Sequence, residues 1–305
     1  MSGASRRTPA ASDLWGYFAF SHGWTWFFWA VVIARGTDVW ASPTSVALLA
    51  VGGLGVPLGG ALMTWRTEGA RGLRALGRKL LDPGRISGWW WIVVLLLYPA
   101  VKLGSVALAL VFGTMEEPLQ LEQASRLLAH PDELLLYAGF VFLLGPLPEE
   151  VGWRGYLLDR LQRRFTALGA SLALGVAWFS WHLPLFLMAG YYARAGGAPD
   201  PVHFSVMILL GSVLYTWIHN NNGGSVLAAV LFHFTGNLSG ELLDAPEAVT
   251  AYETGLTAAI VLVVLWRWGG DTLTGSRATN AAPGIADGGG SRRRPGSDAT
   301  AGDGP

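Results

Sequence analysis

Three clusters of polar residues carry the chemistry available to this chain. The first is the stretch Pro148 to Arg154, which contains adjacent glutamates at 149 and 150. Successive residues on an α-helix point about 100° apart, so the two carboxylates cannot serve one partner. Arg154 lies four residues beyond Glu150, on the same face and in the favourable acid-before-base order, which assigns these two to a structural ion pair. Glu149 is left without a local partner and becomes the candidate general base. The second cluster centres on His182, in an apolar and aromatic stretch with Trp178 one turn earlier and Pro184 loosening the backbone after it. In the third, His233 and Asn237 stand four residues apart and project from one helix face.

One spare carboxylate, two imidazoles and one carboxamide suit hydrolysis. The chain has no cysteine, and no serine or threonine is paired in sequence with these groups, so water is the expected nucleophile. Glu149 would take a proton from that water while His182 holds and polarises it, and His233 with Asn237 would donate hydrogen bonds to a developing oxyanion. Trp153 and Trp178 are the expected pocket aromatics. A second arrangement stays open, in which Glu149, His182 and His233 hold a zinc ion (Zn2+) that acidifies a bound water. The HExxH spacing that marks many zinc hydrolases is absent. No organic cofactor is expected. Each polar group taken alone has a plainer reading, since histidine and asparagine in membrane spans often serve as packing hydrogen bonds. That reading makes the protein a non-catalytic membrane scaffold or immunity factor.

The elements that must position these residues are membrane spans. Hydrophobic residues make up 51% of the chain and charged residues 14%, against about 25% charged in a soluble domain. Mean hydropathy is +0.38. The formal net charge of +0 says little about nucleic acid; no basic domain stands out, and no nucleic-acid partner is expected. A spanning helix needs roughly 20 mostly apolar residues. Candidate spans run over Leu14 to Ala34, Pro43 to Trp65, Gly88 to Phe112, Leu134 to Leu158, Leu168 to Met188, Val202 to Ile218, Gly224 to Leu243 and Gly255 to Trp268. The expected fold is therefore an all-α polytopic bundle of about eight spans. Residues 1–13 form a polar N-terminus, 14–268 the membrane domain with a motif-bearing core at 134–243, and 269–305 a disordered tail rich in Gly, Ser, Asp and Arg.

Loop charge orients the bundle. The segment after the second span carries Arg66, Arg71, Arg74, Arg78, Lys79 and Arg85, and the turn after the fourth carries Arg160, Arg163 and Arg164. The loop after the third span is acidic, and so is the loop before the last. Lys/Arg-rich loops stay cytoplasmic, so both termini are expected there, in a multi-pass protein of the cell's inner (plasma) membrane. The leucine-and-arginine segment 72–84 is read as an amphipathic element at the cytoplasmic surface. The high Ala, Gly and Arg content suggests a bacterial source.

With these residues in view, the chain resembles the CPBP family of membrane proteases, also called the CAAX protease and bacteriocin-processing or Abi family. That family's Glu-Glu-x-x-x-Arg motif matches Glu149, Glu150 and Arg154. Its aromatic-x-x-x-His motif matches Trp178 and His182, with Trp where Phe is commoner, and its His-x-x-x-Asn motif matches His233 and Asn237. Each motif alone is weak; all three, in order and on successive spans, are specific. The resemblance covers roughly Leu134 to Leu243 and leaves the first three spans without a matched motif. It implies an intramembrane endopeptidase in which Glu149 and His182 activate water and His233 and Asn237 stabilise the oxyanion. Family members process lipidated C-terminal tails or bacteriocin-related peptides, and both metal-dependent and glutamate-dependent catalysis have been ascribed to them. The partners implied are the bilayer and a peptide or protein substrate, lipidated in some members.

Overall fold

The computed structural model describes residues 11–115, 119, 121–193, 197–243 and 245–274. All regular structure among them is helical. The helices are α1 (Ala11–Arg35), α2 (Pro43–Gly53), α3 (Gly55–Leu81), α4 (Trp90–Val111), α5 (Glu122–Ala129), α6 (Pro131–Leu144), α7 (Pro146–Gly152), α8 (Leu158–Leu161), α9 (Ala167–His182), α10 (Pro201–Asn221), α11 (Val226–Leu242) and α12 (Glu247–Trp268). Each expected span coincides with a helical stretch. Six stretches among the described residues are long and apolar enough to cross a membrane: Pro43–Leu81, Trp90–Val111, Pro131–Leu161, Ala167–Leu187, Pro201–Asn221 and Glu247–Trp268. The expected count of about eight is thus met by six on length and composition. The two outside that set are α1 and α11, the latter with only 17 residues.

Breaks in the helices follow from the sequence. Gly69 adopts φ 63° and ψ −159° inside α3, a left-handed conformation open to glycine, and there the apolar span hands over to the amphipathic arginine segment. In that segment Arg71, Arg74 and Arg78 are exposed while Leu76 is buried beside Val226 and Val230. In the fourth stretch Gly145 leaves helical geometry at φ −120° and ψ −87° and Pro146 starts α7, a position where proline's missing N–H costs nothing. A π-helical turn over Trp153–Leu157 then joins α7 to α8, the kind of widened turn that gathers at functional sites.

Close packing holds this broken stretch in the bundle. A Cβ built on Gly60 of α3 would lie 3.1 Å from Gly152 Cα, and one on Gly152 would lie 2.5 Å from the Val56 carbonyl and 2.7 Å from the Tyr17 hydroxyl. Small residues let helix backbones approach in membranes, and here they lock α3 against the glutamate-bearing helix. The chain after α12 differs from the sequence expectation. Ala167 and Leu168 donate backbone hydrogen bonds to the Asp271 and Gly270 carbonyls at 2.8 and 2.9 Å. Asn220 and Asn221 donate to the carbonyls of Thr272 and Leu273 at 2.9 and 2.7 Å, and Leu273 is 0% exposed. The expected tail is therefore ordered in its first residues, through 274; the rest, 275–305, lies outside the described residues.

Replacing Gly152 by alanine is expected to destabilise the fold by about 1–3 kcal/mol through overpacking. Gly77→Ala, where an added Cβ meets nothing within 4 Å, serves as the control. Thermal unfolding of the two variants in detergent measures the difference.

Candidate active site

The break at Gly145 places Glu149 in the first turn of a renewed helix, where the helix dipole favours a negative charge. Glu149 is 7% exposed, and its Oε2 accepts a hydrogen bond from the indole Nε1 of Trp178 at 2.6 Å. The carboxylate that sequence leaves without a local partner thus finds one on α9. A phenylalanine at 178 has no N–H to offer there. A Cβ on Gly145 would sit 3.4 Å from Asn237 Nδ2 and 4.0 Å from Glu149 Oε1, so the bare glycine admits carboxylate and carboxamide to the same small space.

Glu150 faces away from this space. Arg154 Nη1 donates to both of its oxygens at 2.8 and 3.0 Å, and both side chains are 0% exposed. Two charges in so dry a place need further partners. The guanidinium carbon lies 4.1 Å from the centroid of Tyr215 and 4.8 Å from that of Trp178, cation–π contacts that gain strength where water is absent. Glu150 Oε1 also accepts from His233 Nδ1 at 2.9 Å, fixing that ring so that Nε2 is the atom left for another partner. His182 is held the same way, its Nδ1 against the Trp178 carbonyl at 2.8 Å.

Glu149, Trp178, His182, His233 and Asn237, drawn from α7, α9 and α11, all line one cavity of about 950 Å³. The expected convergence of the three motifs is therefore present. Trp153 is not part of the lining. It is 0% exposed and packs in the core against Tyr17, His22 and Trp181, because the helix turns it away from the face that carries Glu149. The zinc arrangement requires Glu149, His182 and His233 to converge on one ion. Among the described residues no three His, Asp or Glu side chains gather into a group able to hold a metal, and Glu149 Oε2 is engaged by the indole.

Sequence reasoning missed Tyr215 and Tyr98, which also line the cavity. Tyr215 meets Trp178 and His233 edge to face, with centroids 5.5 and 5.7 Å apart. The available signal was a phenol in mid-span, since a buried tyrosine needs somewhere to place its hydroxyl. His219 and the asparagines that follow it brace the end of α10. His219 contacts Asp159 at 3.3 Å, and Asp159 also pairs with Lys79. His22 bonds the Ala177 carbonyl and Ser180, and Lys102 pairs with Glu253 at 3.0 Å.

Residues 131–239 match a family profile described as type II CAAX prenyl endopeptidase, Rce1-like. Over 174 residues the chain is 34% identical to a protein of Methanococcus maripaludis named CAAX prenyl protease 2. That match spans 55% of this chain and 63% of the relative's length. All the cavity residues named by the three motifs fall inside the matched family segment.

Removing one partner of the buried pair leaves the other charge stranded. Arg154→Leu is expected to lose about 3–5 kcal/mol of stability, read as a lower denaturation midpoint in detergent, whereas the surface change Arg126→Leu moves it little.

Proposed function

We propose that this chain, similar over residues 131–239 to the type II CAAX prenyl endopeptidase family, is an intramembrane protease that hydrolyses a peptide bond using a water activated by Glu149. The observation that carries this reading is the meeting of Glu149, His182, His233 and Asn237 on the wall of one cavity. Glu149 is the general base. Its Oε2 is occupied by the Trp178 indole, which leaves Oε1, on the Asn237 side of the carboxylate, to take the proton. His182, with Nδ1–H directed to a backbone carbonyl, offers the Nε2 lone pair to the second water hydrogen and so orients the nucleophile.

Charge then develops on the carbonyl oxygen of the scissile bond. Asn237 supplies an uncharged N–H donor toward it. His233 donates from Nε2 when doubly protonated, with Glu150 as counter-ion at Nδ1. The tetrahedral intermediate collapses as the proton held by Glu149 passes to the leaving amine. Glu150 and Arg154 take no part in bond making; they position His233. The substrate is a peptide or protein segment, and processing of a CAAX-type lipidated tail or of a bacteriocin-related peptide are the two family precedents. On this reading the protein belongs to the plasma membrane, with its basic loops on the cytoplasmic side.

Glu149→Gln is expected to lower kcat by about 10²–10⁴, the usual worth of a positioned general base, with unfolding unchanged. Peptide inventories of membranes carrying wild type or Glu149→Gln provide the test in cells, and identical inventories would defeat the proposal. Trp178→Phe removes the indole donor but keeps the aromatic bulk. It is expected to lower kcat about tenfold with little change in KM, as a lost hydrogen bond to a charged group would, measured by steady-state kinetics on the same substrate.

A further inference from the structure

α1 lies outside the segment 131–239 that matches the family profile, yet it grips the helix end that carries His182. His22, Thr25, Trp26 and Trp29 recur at three- and four-residue spacings and so share one face of α1. That face meets the last turn of α9. The turn needs outside partners, because α9 gives way to a 3₁₀ turn over Leu183–Leu187 and Pro184 brings it no N–H. Carbonyls at a helix end are left without intrahelical donors. The Trp181 carbonyl accepts from Trp26 Nε1 at 3.3 Å. One turn back, His22 Nε2 lies 3.2 Å from both the Ala177 carbonyl and the Ser180 hydroxyl.

Side chains carry the grip from α1 to the imidazole. Thr25 is fully buried, and its hydroxyl donates its one proton to the Gly52 carbonyl at 2.8 Å. The same oxygen therefore accepts the Trp181 indole N–H, at 3.0 Å. The buried Trp181 ring packs against Trp29, with centroids 4.7 Å apart. It stands edge to face with His182 at 4.8 Å and an interplanar angle of 89°. That is nearer the imidazole than Phe204 at 5.4 Å or Trp178 at 6.0 Å. His182 is tied through Nδ1 to the Trp178 carbonyl. One hydrogen bond leaves a ring free to tilt about it, and a packed neighbour removes that freedom.

We infer that Thr25 and Trp181 are positioning residues for the proposed hydrolysis. Thr25 fixes the indole, and the indole fixes the imidazole of His182 in the rotation that presents Nε2 to the water. Neither residue touches the reacting atoms. Their leverage comes from geometry, since a reactive group displaced by about 1 Å can cost a hundredfold in rate. α1, which carries no matched motif, thereby acquires a task in the site. The effect on rate rests on the protease reading, while the hold on the ring stands on the contacts alone.

Thr25→Val keeps the shape of the side chain and removes the hydroxyl, whereas Thr25→Ser keeps the hydroxyl. Thr25→Val is expected to lower kcat about tenfold with little change in KM, and Thr25→Ser to stay near wild type. Trp181→Phe keeps an aromatic ring and drops the N–H. It is expected to match Thr25→Val, with the double variant losing no more than either, because both break one bond. A wild-type kcat in Thr25→Val would overturn the inference. So would an equal loss in Trp24→Phe, which cuts the α1 bond to the Val51 carbonyl and leaves the α9 contacts in place. The ring is also read without substrate, in nitrogen-15 histidine spectra of the full chain in detergent. There the His182 signal, identified by its loss in His182→Gln, is expected to be displaced in Thr25→Val and restored in Thr25→Ser. A His182 signal unmoved by Thr25→Val sinks the positioning role whatever the activity, and identical peptide inventories for wild type and Glu149→Gln sink the protease reading alone.

Discussion

Placing two full charges where no water reaches them is the constraint around which the rest of the bundle is arranged. Glu150 and Arg154 are both 0% exposed, and a bare ion pair in such surroundings recovers only part of its desolvation. Groups from other helices offset part of the rest: His233 of α11 on the carboxylate, Tyr215 of α10 and Trp178 of α9 on the guanidinium, whose Nε and Nη2 have no hydrogen-bond partner. Each of those helices is thereby fixed in rotation relative to α7. Because the same side chains also face the cavity, satisfying the pair and shaping the site are one task. Trp178 shows this most directly, with its face toward Arg154 and its N–H on Glu149.

The pair could not have been placed there by an unbroken helix alone. Gly145 and Pro146 end one helix and start another within a single crossing. That break frees the space into which Glu149 and Asn237 project, and it sets Glu149 at a helix start. The π-helical turn after Gly152 accommodates the extra residue that the crossing needs before α8. Irregular backbone at membrane depth is tolerated where it is buried in protein or lines a cavity, and both conditions hold here. The close approach of α3 through Gly60 and Gly152 keeps the broken stretch from straightening.

Much of this was legible because it is local. The Glu150–Arg154 pair follows from a four-residue spacing, the separate role of Glu149 from the 100° turn between neighbours, and the shared face of His233 and Asn237 from the same arithmetic. The spans follow from apolar runs of sufficient length. What stayed hidden depends on contacts between helices far apart in sequence. Nothing local says that His233 binds Glu150 across 83 positions, or that the Trp178 N–H finds Glu149 across 29. Trp153 misled for a related reason: adjacency to the motif in sequence suggested the pocket, whereas the helix turn directs it into the core against Trp181. The segment after α12 misled through composition. Gly270 to Thr274 looks like linker, yet its carbonyls serve as acceptors for α9 and for the asparagines ending α10.

Those asparagines and the polar groups of the cavity obey one rule. A polar side chain within or beside a span is retained only where another part of the chain needs its hydrogen bonds. At the basic end the needs are structural: Asn220 bonds Gln162 and the Thr272 carbonyl, His219 meets Asp159, and Lys79 completes the group. These contacts tie the ends of α8, α10 and α12 to one another. In the middle, the histidines each commit one ring nitrogen to the protein and keep the other for the cavity. What sets the middle apart is that these two rings, each fixed in orientation by the nitrogen it commits, stand on the wall of the cavity.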